Sequence, residues 1–271
     1  MRILFLGDVV GRSGRDALTT RLPDIRARLG AELVVVNGEN ASHGFGLAPE
    51  MARAFFIAGV DVITLGNHSW DRKEIIPYLA EEPRIIRPIN YPPGTPGSGH
   101  FIAVLPDGRK ALVINAMGRL FMELLDDPFR AVQAVVQANP LGRAVQACII
   151  DIHAEASSEK AAMATSFDGM ASLVIGTHTH IPTADHRIMP GGTAFMTDAG
   201  MCGDYDSVIG MQKAPASIRF WRRVPAEKLA PAEGEATLSG LLVVTDDSTG
   251  LATACAPLRQ GGCLAPAWPE V

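Results

Sequence analysis

Two histidines stand at i and i+2 in Val174-Ile175-Gly176-Thr177-His178-Thr179-His180, directly after an apolar run. If the run continues as a strand, alternation puts both imidazoles on one side. If it has become a turn, Gly176 lets the backbone approach a ligand closely. Either way two nitrogen donors converge. The same construction recurs. Arg2 to Gly7 ends at Asp8, Leu33 to Gly38 ends at Glu39 and Asn40, Val62 to Gly66 ends at Asn67 and His68, and Cys148 to Ile152 ends at His153.

Together Asp8, Glu39, Asn40, Asn67, His153, His178 and His180 offer imidazole, carboxylate and amide oxygen without thiolate. That set suits manganese, iron, zinc or nickel better than a soft metal. It is too large for one four-coordinate zinc and sufficient for two metals sharing a carboxylate. Two such cations, about 3.5–4 Å apart, hold a hydroxide that can attack phosphorus in line. His68 follows Asn67 at a strand end and is read differently, as the acid that protonates a leaving alkoxide. Its structural alternative is a hydrogen-bonded histidine packed under a loop.

The elements that must position these residues are short apolar strands ending in glycine, as in a buried α/β sheet. In such sheets ligands gather beyond the carboxyl ends of the strands. Helices are expected at Gly11 to Leu29, with a kink or a restart at Pro23, at Pro49 to about Ala58, and at about Arg72 to Ala80. This β-α alternation predicts parallel strands with right-handed crossovers. The pattern then changes. Asn90 to Gly99 is rich in Pro and Gly and reads as loop. Hairpins are expected around Pro106 to Arg109 and Asp246 to Gly250. Further helices are expected from Pro128 to about Ala138, from Ser157 to Phe167 with Ser157 or Ser158 as N-cap, and over Met211 to Arg223. A strand is expected over Gln146 to Ile152 and a flexible connection over Pro225 to Glu235. The reading is two sheets packed face to face with helices outside, one domain over residues 1–258, and a poorly patterned tail over 259–271 that is frayed from Gly261 to Val271.

The 271 residues are 47% hydrophobic and 20% charged, a soluble globular profile. A net charge of −5 argues against binding long nucleic acid through charge, while leaving a nucleotide-sized substrate open. Four scattered cysteines imply no disulfide framework and suit a reducing cytosol. Neither a signal peptide nor a bilayer-spanning stretch is seen, so a cytoplasmic location is expected.

The set Gly7-Asp8, Gly38-Glu39-Asn40, Gly66-Asn67-His68, His153 and Gly176-Thr177-His178-Thr179-His180 resembles the calcineurin-like metallophosphoesterases. It is most similar to their YmdB-type branch, through Leu65 to Asp71, Asp151 to Ala156 and Tyr205 to Met211. The resemblance runs to about residue 258. It implies a four-layer α/β/β/α sandwich of two mixed sheets, a dinuclear centre and phosphodiesterase activity toward 2′,3′-cyclic nucleotides. It places one metal on Asp8, Glu39, Asn40 and His180, and the other on Glu39, Asn67, His153 and His178, with Glu39 shared. The chain departs from the wider superfamily in two places. Asp-x-His is Asp8-Val9-Val10 here, and the bridging Asp is Glu39. Asn40 then replaces the lost imidazole, and a weaker first site with iron or manganese preferred over zinc is expected.

Around this set, the loop Ser42 to Gly46 offers His43 and Phe45 to a base or ribose, and Gly44 lets backbone N–H groups face a phosphate; an ordinary flexible loop is the alternative. Arg119 could pair with a phosphate or form a surface salt bridge. Asp151 has the spacing of a hydrogen-bonding partner to the His153 ligand; a paired buried carboxylate is the alternative. Besides the phosphodiesterase, the residues permit a phosphomonoesterase or a metal-bound regulatory scaffold without turnover. An exposed apolar patch could build a dimer or tetramer, though no stretch identifies it.

Overall fold

The computed structural model describes residues 1–222 and 227–271. In chain order the elements are β1 Arg2–Leu6, β2 Asp8–Val9, α1 Gly11–Leu29, β3 Leu33–Asn37, α2 Pro49–Ile57, β4 Val62–Thr64, α3 Ile75–Glu81 and β5 Ile85–Ile86. Then come β6 His100–Val104, β7 Lys110–Met117, α4 Pro128–Ala138, β8 Ala147–His153, α5 Ser157–Ser166 and β9 Leu173–Thr177. The chain closes with β10 Arg187–Ile188, β11 Ala194–Met196, β12 Met201–Asp204, α6 Lys213–Arg222, β13 Ala236–Thr245 and β14 Ala252–Gln260.

Two mixed sheets form. The first runs β2-β12-β13-β1-β3-β4-β5, with β14 beside β13; β1, β3, β4 and β5 are parallel and β13 is antiparallel to β1. The second runs β10-β11-β9-β8-β7-β6, with parallel strands at its centre and an antiparallel strand at each edge. Strand alternation sorts the side chains into layers. In β1, Ile3 and Phe5 enter the core between the sheets, while Leu4 and Leu6 join Leu18, Leu22 and Ile25 of α1 in a second core. In β8, Ile149 faces the first sheet, while Cys148 and Ile150 meet Val132 and Val136 of α4 and Met163 of α5. The result is the expected four-layer α/β/β/α sandwich.

Local signals explain most boundaries. Asp127 caps α4 by accepting from the Phe129 and Arg130 N–H groups, with Pro128 in the first turn. Pro23 lies on the exposed side of α1, which continues through it as one helix. Four further expectations change. Helix α3 begins at Ile75 rather than Arg72, because residues 67–74 fold as turns beside the strand ends. The N-cap of α5 is Ala156, so neither Ser157 nor Ser158 caps it. The tail is not frayed. Ala267 pairs with Arg259, and the Trp268 ring lies under the Arg28 guanidinium at 4.1 Å. The connection after α6 is held where it is described, since Gln212 N–H donates to Ala230 and Ala232 N–H donates to Gly210. Arg223, the expected end of that helix, and Pro225, the expected start of the connection, lie outside the described residues.

Candidate dinuclear metal centre

The carboxyl ends of β3 and β4 in the first sheet and of β8 and β9 in the second meet at one edge of the sandwich. Asp8 opens β2 and is fully buried; Glu39, Asn40 and Asn67 follow β3 and β4; His153 ends β8; His178 and His180 follow β9. All seven come together. His153 Nε2 lies 2.8 Å from Asn67 Oδ1, 3.1 Å from Glu39 Oε1 and 3.1 Å from His178 Nδ1. Glu39, His153 and His178 each offer a donor atom within 4.8 Å of the others. On the other side, His180 Nε2 is 4.0 Å from Asp8 Oδ1.

Beyond Thr177 the chain turns. His178 and His180 adopt φ of 94° and 67°, a left-handed backbone that side chains other than Gly seldom take. The turn is fixed by Asp198, whose Oδ2 accepts from the Thr179 N–H at 3.2 Å and the Thr179 hydroxyl at 2.6 Å. The Lys160 ammonium meets the same oxygen at 2.7 Å, fully buried. Gly66 makes the convergence possible, since a Cβ there would sit 2.4 Å from both Glu39 Oε2 and His153 Nε2.

Two observations test whether these residues fit a pair of cations. Asp8 Oδ1 and Asn40 Oδ1 are buried acceptors with no hydrogen-bond donor among the described residues. Such orphans are costly unless something positive satisfies them. The ring nitrogens away from the cluster are, in contrast, spoken for. His153 Nδ1 meets Thr177 Oγ1 at 2.9 Å, His180 Nδ1 donates to the Ile209 carbonyl at 2.8 Å, and His178 Nε2 faces Glu155 Oε2 at 3.3 Å. Each imidazole therefore keeps its other nitrogen for the centre, the usual dress of a metal-ligating histidine. The residues fit the group.

Titration without metal follows the same geometry. Burial pushes the Asp8 carboxyl well above its ordinary range. Burial alone would also raise Glu39, but His153 and the His68 N–H outweigh it and hold Glu39 low. Burial, reinforced by His153, pushes His178 down to about 3. Burial also lowers His180. For His153 burial is outweighed by Glu39, which raises it to about 9.

A cleft of about 350 Å³ opens over the cluster, lined by Glu39, Asn40, His178 and His180 together with Phe45, His68, Glu155, Thr179, Ile209, Met211 and Leu229. The His68 ring packs edge-on against Phe45, with centroids 5.0 Å apart, and its Nδ1 lies 2.9 Å from Asp71 Oδ2. Gly44 is buried beside the cleft, its carbonyl accepting from Asn40 Nδ2 at 3.0 Å. The loop is clamped rather than loose, because Arg72 donates to the carbonyls of Ser42 and Phe45. His43 points outward, exposed, and is not among the lining residues. Arg119 is also exposed and off the cleft, with its backbone N–H on Glu159. Sequence reasoning missed Thr177, Asp198, Lys160, Ile209 and Asp71. Asp71, three residues from His68, carried a local signal, and Thr177 and Ile209 lay inside the Gly176 to His180 and Tyr205 to Met211 motifs without a role; Asp198 and Lys160 carried none.

Residues 4–258 match the model of the YmdB-like proteins. The chain is 44% identical over 250 residues to a 2′,3′-cyclic-nucleotide 2′-phosphodiesterase of Bacillus subtilis (strain 168), covering 92% of this chain and 93% of that one. Among solved structures it is similar to a hypothetical protein of Thermus thermophilus, at a TM-score of 0.90 and 41% identity over 97% of this chain and 100% of that one. It is also similar to a phosphatase of Mycoplasma pneumoniae, at a TM-score of 0.87 and 32% identity over 96% and 93%.

Proposed function

The chain belongs to the YmdB-like protein family, and from that premise we propose that it is a metal-dependent phosphodiesterase that opens small 2′,3′-cyclic nucleotides. The observation that carries the reading is the pair of orphaned buried oxygens, Asp8 Oδ1 and Asn40 Oδ1, beside the Glu39–His153–His178 cluster. One cation would be held by Asp8, Glu39, Asn40 and His180, the other by Glu39, Asn67, His153 and His178. Bound there, the pair would neutralise charge on a phosphate and acidify a water enough to serve as nucleophile near neutral pH. The oxygen-rich donor set favours manganese or iron over softer metals.

The chain's own residues supply the rest. Asp71 occupies His68 Nδ1, which leaves Nε2 as the nitrogen free to give a proton to the departing ribose oxygen. Phe45 packs against that ring and keeps it on the cleft wall. Ile209, Met211 and Leu229 offer an apolar surface to a sugar or base and displace water from it. A cyclic ester has no bulky leaving group, so a cleft of this size suffices.

The test is turnover of 2′,3′-cyclic AMP by chelator-stripped protein before and after reloading with Mn²⁺. Turnover that appears only on reloading, and yields one nucleoside monophosphate isomer, is expected. Two bound Mn²⁺ ions with no turnover would overturn the proposal.

A further inference from the structure

Behind His153 lies a buried chain of polar groups that the reaction above does not use. Asp151 is fully buried in β8, two residues before His153, and its carboxylate collects donors from both sheets. Oδ2 accepts from the Thr64 hydroxyl of β4 at 2.5 Å and from the Asn37 amide of β3 at 3.4 Å. Oδ1 accepts from the Thr177 hydroxyl of β9 at 2.7 Å. A hydroxyl has one hydrogen to give. With that hydrogen committed to Asp151, Thr177 Oγ1 can meet His153 Nδ1, 2.9 Å away, only as an acceptor. Nδ1 must then carry a proton, so that when a cation displaces the second ring proton the lone pair it meets is on Nε2. That is the nitrogen facing Glu39 Oε1 and Asn67 Oδ1.

We propose that Thr177, oriented by Asp151, is a positioning residue for the metal centre: the Asp151–Thr177–His153 relay fixes the tautomer that presents His153 Nε2 to a cation. The inference rests on the dinuclear reading above. The other two histidines need no such device. His180 meets a carbonyl and His178 faces a carboxylate, and both of those groups only accept. A hydroxyl serves either way round, so it selects a tautomer only when its own hydrogen is spoken for. Asp151 removes that ambiguity. Because the same carboxylate also holds Thr64 and Asn37, the relay couples the orientation of His153 to the docking of the two sheets.

The test is Mn²⁺ titration of the stripped full-length chain, comparing wild type with Thr177→Val and Thr177→Ser, with unfolding followed alongside. Valine keeps the shape and loses the hydroxyl; serine keeps the hydroxyl. The Thr177→Val variant should bind one of two Mn²⁺ ions about ten- to a hundredfold more weakly, and Thr177→Ser should retain wild-type affinity. A folded Thr177→Val variant that takes up two ions with wild-type affinity overturns the relay. A wild-type chain that fails to bind two ions overturns the dinuclear reading on which it depends. If Thr177→Val does not fold, a long-range ¹H–¹⁵N spectrum of the Zn²⁺-loaded wild type decides. A proton on His153 Nδ1 is expected, and a bare Nδ1 overturns the proposal.

Discussion

The two banks of the candidate centre are held in opposite ways. The imidazoles come from the second sheet, and each has its outer nitrogen engaged, by Thr177, Glu155 or the Ile209 carbonyl. The oxygens come from the first sheet, and two of them, Asp8 Oδ1 and Asn40 Oδ1, have no donor among the described residues. One bank is organised by the protein itself. The other carries buried acceptors whose desolvation is not offset within the described chain. A centre built this way would have nitrogen donors oriented by the protein and an oxygen side completed by a bound cation.

His68 tests which bank a histidine belongs to. It is the imidazole on the oxygen side, and its Nδ1 is taken by Asp71 from the same sheet end. His68→Ala should lower kcat by about 10²–10⁴-fold while two Mn²⁺ ions remain bound. Loss of an ion along with activity would place His68 among the ligands and break the division. A second variant probes the support of the imidazole bank. Lys160→Met leaves the Asp198 carboxylate buried without its counter-charge, still facing Thr179 and the Gly200 N–H. The cost should be about 3–5 kcal/mol in urea unfolding. A neutral substitution would show that the Thr179 turn stands without the ion pair.

Metal removal addresses the comparison directly. At a hundredfold excess over Kd, bound Mn²⁺ should stabilise the fold by about 2.7 kcal/mol for each ion, read as a shift in the unfolding midpoint. Hydrogen exchange should quicken around Asp8, Glu39 and Asn40 when metal is stripped, and stay unchanged over 173–177. Equal loosening of both banks would mean that the imidazoles, too, depend on the cation for their placement.

What was legible in the sequence follows the same line. The donors themselves were readable, because each ends an apolar run and parallel strands send those ends to one edge. The layers were readable from the alternation in β1 and β8. The supports were not. Thr177 acts through a carboxylate 26 residues away and Lys160 through one 38 residues away, and no local pattern marks either pair. Strands β2 and β12 are two and four residues long, too short to show a period, and they pair with each other although Asp8 and its partner Met201 lie far apart in the chain. The tail failed as a reading for a related reason: Trp268 finds its partner in α1, which nothing near residue 268 announces.

Ile209 gives the smallest expected effect. Its φ of 47° places a β-branched residue in the left-handed region, at a cost of about 1–3 kcal/mol, and its carbonyl receives the His180 Nδ1 proton. The surrounding loop holds that conformation without help from the side chain. Val208 and Met211 exchange backbone hydrogen bonds, and the Ser207 hydroxyl accepts from the Gly210 N–H. Ile209→Gly relieves the strain but gains freedom in the unfolded chain, so stability should change by less than about 1 kcal/mol. The side chain is half exposed on the cleft wall, and losing it removes apolar contact worth about 1 kcal/mol from a bound nucleotide. KM for 2′,3′-cyclic AMP should therefore rise about fivefold, with kcat and Mn²⁺ affinity unchanged. A fall in Mn²⁺ affinity instead would show that the isoleucine side chain holds the carbonyl on His180, and that the imidazole bank is less self-sufficient than its hydrogen bonds imply.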